Sequence, residues 1–147
     1  MKERKIKNVF RSGPISPDFI STSIANHQSK TAIGAHDIFL GQVRADKIGD
    51  KTVVAIEYTA QEEMANQIFH ELREATFEKF DLSCMHIYHS LGKVAAGELC
   101  FFVFVSGAHR KEVFGALEYL VEDIKAKVPI FGKEIFEDAT YQWKKNI

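Results

Sequence analysis

Seven consecutive apolar residues, Leu99-Cys100-Phe101-Phe102-Val103-Phe104-Val105, interrupt an otherwise amphipathic chain. A run this short, rich in aromatic and β-branched side chains, predicts a strand covered on both faces. Elsewhere the apolar positions are spaced. Met64, Ile68, Leu72 and Ala75, with Phe69 and Thr76 beside them, recur at helical spacing and predict a helix ending near Phe80. Before it, Thr59-Ala60-Gln61-Glu62 has the S/T-x-x-E form of a capping box. Val113, Leu117, Leu120, Val121 and Ile124 form the stripe of a second helix, from about His109. Pro129 stops it, because the residue before a proline disfavours the α region. A short third helix is predicted behind Ser16-Pro17-Asp18, with Ser16 as N-cap and Pro17 in the first turn. It runs through Ile20 and Ile24 to Asn26-His27.

The remaining segments read as strands. Ile33 to Val43 and Thr52 to Tyr58 are expected to pair as a hairpin, with a long loop over 45–50 that holds the turn signal Gly49-Asp50. Met85 to Leu91 precedes Gly92 and Gly97, both read as turn positions. Phe131 to Phe136, a turn at Glu137-Asp138 and a short strand from Thr140 to Lys144 close the chain. The order α-β-β-α-β-β-α-β-β puts strands in adjacent pairs. That favours an α+β fold, a mostly antiparallel sheet with about three helices, over a doubly wound parallel sheet. No repeat or linker divides the 147 residues, so a single domain over 1–147 with a substantial core is expected.

Composition narrows the function classes. Lys and Arg total 19 against 20 for Asp and Glu, a formal charge of −1, so no global basic field argues for nucleic acid. The Phe-rich strand lacks the interleaved basic residues of a base-stacking platform. No apolar run is long enough to span a bilayer, and no apolar h-region follows the charged start Met1-Lys2-Glu3-Arg4-Lys5, so a cytoplasmic protein is expected. The two cysteines, Cys84 and Cys100, sit in apolar stretches and are expected as buried, reduced thiols. None of the six histidines falls in HExxH or in a Cys/His zinc spacing, so neither a metal nor a cofactor is expected. His86 and His89, three apart on a strand, should point to opposite faces. GxSxG, GxGxxG and P-loop motifs are all missing.

Three places hold candidate chemistry. His109-Arg110 follows the apolar strand where a helix begins, so free N–H groups and the helix dipole make the spot receptive to an anion. An exposed basic pair is the alternative. Lys125 borders an apolar stripe, where a lysine can have a lowered pKa and act as acid, base or nucleophile. It also lies in a last helical turn, where any cation is favoured by the dipole. Arg44 ends a strand shortly after Gly41 and either reaches a rim site or merely opens a loop.

The order and spacing of five pieces resembles the large (catalytic) subunit family of molybdopterin synthase, from about Gly34 to Trp143. The pieces are Phe39-x-Gly41-x-Val43-Arg44; Glu57-Tyr58 followed by Met64-Ala65; His89-x-x-Gly92 with Gly97-Glu98; Ser106-x-Ala108-His109-Arg110; and Lys125-x-x-x-Pro129-Ile130-Phe131 leading to Lys133-Glu134. The resemblance implies an α/β-hammerhead-type fold and a homodimer of large subunits. Each binds one ubiquitin-like small subunit, giving a heterotetramer. The small subunit's C-terminal Gly-Gly thiocarboxylate delivers sulfur to precursor Z, a cyclic pyranopterin monophosphate, to make the molybdopterin dithiolene. It further implies that Arg44, His109 and Arg110 line the substrate pocket, flanked by Gln42 and Val43. Lys125 matches the family's essential lysine, and Phe39, Pro129 and Phe131 would form the groove for the partner's tail. Two departures stand out. Gly132, ahead of Lys133 and Glu134, occupies the place where a second functional lysine is common, and Ser90 follows His89 where arginine is common. Lys133 could serve instead only if the backbone at Gly132 were irregular, because successive strand residues face opposite ways. A non-catalytic protein of the same fold that docks the Gly-Gly tail, and an unrelated α+β domain binding a phosphate ligand, are the competing readings.

Overall fold

Helix ends follow local chemistry. In the computed structural model, which describes residues 6–144, α1 (Pro17–His27) starts behind Ser16, whose Oγ accepts the Phe19 N–H at 3.1 Å. The charged start Met1–Lys5 lies outside the described residues. α2 (Glu62–Lys79) is capped differently from the expectation. Gln61 is its N-cap, with Oε1 accepting the Met64 N–H at 3.0 Å. Thr59 is held in β4 (Lys51–Ala60) opposite Phe131 of β7 (Ile130–Phe136), so ladder pairing overrides the capping box. α3 (Arg110–Lys127) follows His109 and stops at Val128, extended at ψ 129° before Pro129.

Strand pairing is where local patterns mislead. β2 (Ala35–Gln42) runs antiparallel to β6 (Leu99–Gly107), not to β4, so the expected hairpin between 33–43 and 52–58 does not form. The intervening loop makes only a two-residue β3 (Lys47–Ile48) against Lys51 and Thr52. Alternation in a strand says which face is buried but not which neighbour it takes. Gly92 is not a turn. At φ +85° it bends β5 (Cys84–Ala95), so that Cys84–His89 pair with β6 and Gly92–Ala95 with β4. The sheet runs β2-β6-β5-β4-β7 and ends on β8 (Tyr141–Trp143). An unanticipated β1 (Phe10–Ser12) adds in parallel along His89–Leu91. The result is an α+β fold whose strand pairs are antiparallel except for this one.

β6 explains the layering. Phe102, Val103, Phe104 and Val105 are all 0% exposed. Phe101, Val103 and Val105 join the main core with Phe69 and Leu72 of α2 and Val113, Leu120 and Ile124 of α3. Phe102 and Phe104 face the other way, into a smaller cluster with Ile15 and with Ile20 of α1. Burying each Phe contributes on the order of 1.5–3 kcal/mol, which fixes one helical layer on each face of the sheet. The C-terminal end of α3 therefore lands beside Phe101, on the face away from α1.

Candidate active site

Lys125 stands in the last turn of α3 with its ammonium 5.7 Å from the centroid of the Phe101 ring. Around that ring stand His89, at 5.2 Å, and Phe39, edge-on at 5.6 Å. His89, Phe101, Ile124, Lys125, Val128 and Ile130 line a small recess, a cavity of about 20 Å³. Burial pulls the Lys125 ammonium below the usual lysine range. The Lys144 ammonium adds to that shift, and Cys100 opposes it. A lysine so placed gives up or takes back a proton nearer neutrality than a surface lysine does.

The groups beneath it stay neutral at physiological pH. The Tyr58 hydroxyl donates to Cys100 Sγ at 3.4 Å, and burial pushes both the phenol and the thiol up. His89 is 3% exposed, and burial holds its pKa at about 4, although Nδ1 donates to the Ser90 carbonyl at 2.8 Å. Ser90 is buried too. Its Oγ has no partner among the described residues.

Gly132 keeps regular strand geometry. It pairs with Tyr58, and its neighbour Lys133 pairs with Glu57, without a register shift between them. Lys133 therefore faces away from Gly132, its ammonium 4.0 Å over the ring of Tyr141. The irregular backbone that would let Lys133 replace the missing lysine is not there. Lys144 is the cation beside Gly132. Its N–H donates to the Gly132 carbonyl at 2.7 Å, and its Cβ lies 3.7 Å from where a Cβ on residue 132 would stand. Its ammonium is also close enough to depress Lys125. No local motif marks Lys144. It comes beside Gly132 because β8 folds back along β7, and the strand–turn–strand reading of residues 131–144 was the one available signal. Glu134, on the Gly132 face, is 6% exposed and accepts from Gln142 Nε2 at 3.2 Å, a satisfied buried acid.

The other expected residues separate into two groups. Gln42, Val43 and Arg44 leave β2 at the same end of β6 as Phe101, past a register shift between Gly41 and Gln42. Glycine is required there, since a Cβ on Gly41 would lie 2.9 Å from Phe101 Cβ. Val43 is buried, and Arg44 is exposed and paired with Asp46 at 3.3 Å, an ion pair too solvated to hold it firmly. Pro129 sits between two recess residues, whereas Phe131, 54% exposed, points to the outer face. His109 and Arg110 are exposed at the opposite end of α3, beside Gly34 and Ala35. Fifteen residues of helix separate Arg110 from Lys125, about 22 Å at 1.5 Å per residue. Within one chain these cations do not share a cavity.

Comparison with known proteins gives this arrangement a context. The chain is 33% identical over 125 residues to the molybdopterin synthase catalytic subunit of Emericella nidulans, covering 85% of this chain and 64% of that one. It thus spans under two thirds of that relative's length. The crystal structure of molybdopterin synthase from Staphylococcus aureus matches with a TM-score of 0.80 at 27% identity, over 97% of this chain and 100% of the other. A complex of subunits 1 and 2 of molybdopterin-converting factor from Helicobacter pylori shares the fold, with a TM-score of 0.77 at 20% identity, over 93% and 90%. The MoaE protein family matches residues 12–127, from β1 through the turn of α3 that carries Lys125, and the chain belongs to that family.

Proposed function

We propose that this protein is the catalytic large subunit of a molybdopterin synthase. It converts precursor Z to molybdopterin with sulfur from the C-terminal thiocarboxylate of a ubiquitin-like small subunit, in the cytosol. The observation that carries the reading is Lys125, partly desolvated over Phe101 at the mouth of an apolar recess, with a second cation, Lys144, beside it. As the thiocarboxylate sulfur attacks the pterin side chain, Lys125 stabilises the developing negative charge or transfers a proton. Lys144 supplies the second ammonium where the family more often places a lysine at residue 132. Phe39 and Pro129 border the path of the Gly-Gly tail.

The cavity of about 20 Å³ is far smaller than the roughly 300–1,000 Å³ of pockets that enclose a small-molecule ligand. The phosphate-binding pair His109-Arg110 is a helix length away. Both facts fit a site completed by a second copy of the chain, whose His109 and Arg110 hold the cyclic phosphate while Arg44 closes the rim. The homodimer is therefore part of the catalytic unit. The departure at Gly132 is what favours the reading of a non-catalytic docking protein, and Lys144 offsets it.

Reconstitution with precursor Z and thiocarboxylated small subunit tests the proposal, with dithiolene product as readout. Wild type should form product. Lys125→Ala should nearly abolish turnover while leaving the unfolding midpoint unchanged, and Lys144→Ala should lower turnover. Normal turnover by Lys125→Ala would overturn the catalytic assignment. Mixing inactive Lys125→Ala with inactive Arg110→Ala should restore part of the activity, because hybrid dimers contain one intact composite site. No recovery on subunit exchange would refute the shared site.

A further inference from the structure

A second set of coordinating groups lies across the sheet from Lys125, where α1 covers β5 and β6. His27, the last residue of α1, is 7% exposed. Its Nδ1 lies 2.7 Å from the Ser23 carbonyl, which can only accept, so Nδ1 donates there and Nε2 is left as the acceptor of the ring. That acceptor meets Nε2 of His86 at 2.9 Å. With the lone pair of His27 facing it, His86 Nε2 carries the proton of that hydrogen bond and donates it to His27. Cys84 stands two residues before His86 on the same face of β5, half-buried and reduced. One ligand atom from each of His27, Cys84 and His86 lies within 4.8 Å of the others. The proposed sulfur transfer uses none of the three.

We infer that His27, Cys84 and His86 form a binding site for a borderline-soft divalent metal ion, Zn²⁺ fitting best. Two imidazoles and a thiolate suit zinc, and the absence of any carboxylate from the set disfavours Ca²⁺ and Mg²⁺. A tetrahedral ion with Zn–N bonds of about 2.0–2.1 Å holds two nitrogens roughly 3.3 Å apart, so the rings need part by only a few tenths of an ångström. A Zn–S bond of about 2.3 Å puts sulfur roughly 3.6 Å from each nitrogen, so from within 4.8 Å Cys84 closes by about 1.2 Å at most. The Nδ1–H donation from His27 to Ser23 is the outer hydrogen bond that orients a metal-bound imidazole. Lys30 Nζ, 3.1 Å from Cys84 Sγ, is placed to donate to the thiolate. Solvent takes the fourth position. On binding, Cys84 coordinates as the thiolate, its proton passing to solvent, and the His86 proton moves from Nε2 to Nδ1 to free Nε2 for the ion. The ligands come from α1 and β5, so the ion ties the helix to the sheet and stabilises the folded chain.

The test uses the full chain, stripped with a chelator and titrated with Zn²⁺ and with Co²⁺. The expected result is one ion per chain, a thiolate-to-cobalt charge-transfer band and a raised Tm with Zn²⁺. Cys84→Ser, a near-isosteric change at a half-buried position, should remove the charge-transfer band. His86→Gln should weaken binding by at least the 10–100-fold, in order of magnitude, that loss of an outer partner costs. His70→Gln, on α2, should bind as wild type does. Absence of saturable binding at one equivalent would overturn the inference, as would binding that Cys84→Ser and His86→Gln both leave unchanged.

Discussion

His89 is a base that the fold keeps uncharged, and this makes stability depend on pH in a calculable way. Its ring lies 5.0 Å from Tyr58 and 5.2 Å from Phe101, and burial holds its pKa at about 4 against an ordinary 6.5. In the unfolded chain His89 takes up a proton below pH 6.5, in the fold only below about 4. Between those values the unfolded state binds one proton more, so stability rises with pH by about 1.4 kcal/mol per unit. Over the 2.5 units from 4 to 6.5 the contribution is about 3 kcal/mol, a large share of the roughly 5–15 kcal/mol that separates folded from unfolded domains. It is fully present above pH 6.5 and is lost as pH falls through 4. His86 and His36 carry shifts of the same sign, so the wild-type slope contains all three groups. His89→Phe isolates one of them. It keeps the aromatic packing and forfeits the bond to the Ser90 carbonyl, a pH-independent loss of about 1 kcal/mol. Urea unfolding from about pH 8 to about pH 4 should show a shallower decline in the variant. An unchanged slope, or His89 ring resonances titrating near the ordinary histidine value, would refute the reasoning.

Other substitutions probe the packing that positions the site. Gly34→Ala would drive a Cβ into the backbone oxygen of Ala108, at the approach to His109, and should destabilise by about 1–3 kcal/mol in chemical denaturation. Leu120→Ala removes a 0%-exposed side chain from under α3, and should cost about 2–5 kcal/mol in the same assay. Ser16→Ala removes the cap of α1 and should lower stability by about 1 kcal/mol; an unchanged midpoint would show the cap to be idle. Ser90→Ala deletes a buried hydroxyl that has no partner among the described residues and should raise stability by about 1 kcal/mol, visible as a higher Tm.

The helices could be read from the chain because their signals are local. Ser16 and Pro17 set the start of α1, Pro129 the end of α3, and the apolar run of β6 announced coverage on both faces. Partner choice could not be read. β2 and β4 look like a hairpin, yet each satisfies its ladder with strands far along the chain. Gly92 illustrates the same limit, since a positive φ serves a bend inside a strand as well as it serves a turn. At the site, Lys125 could be singled out from its place beside an apolar stripe. Lys144 was not, although the strand–turn–strand reading of residues 131–144 already folds the chain back past Gly132, because no residue pattern tells which lysine of the last strand then lies beside it. His27, Cys84 and His86 escaped notice because metal-site motifs are spacings along one segment, whereas these ligands meet across a helix–sheet interface.

The parallel pairing of β1 with β5 bears on how the chain is made. Phe10 lies opposite His89, and Ala35 opposite Gly107. At the usual 5–20 residues per second of synthesis, β1 waits about 4–16 s for its partner to be polymerised. During that interval β1 and β2 leave the ribosome with unpaired edges, and α1 has no sheet on which to lie. A nascent chain stalled before β6 should therefore be protease-sensitive throughout and a client for chaperones that hold extended segments, whereas one released past β6 can close its first sheet.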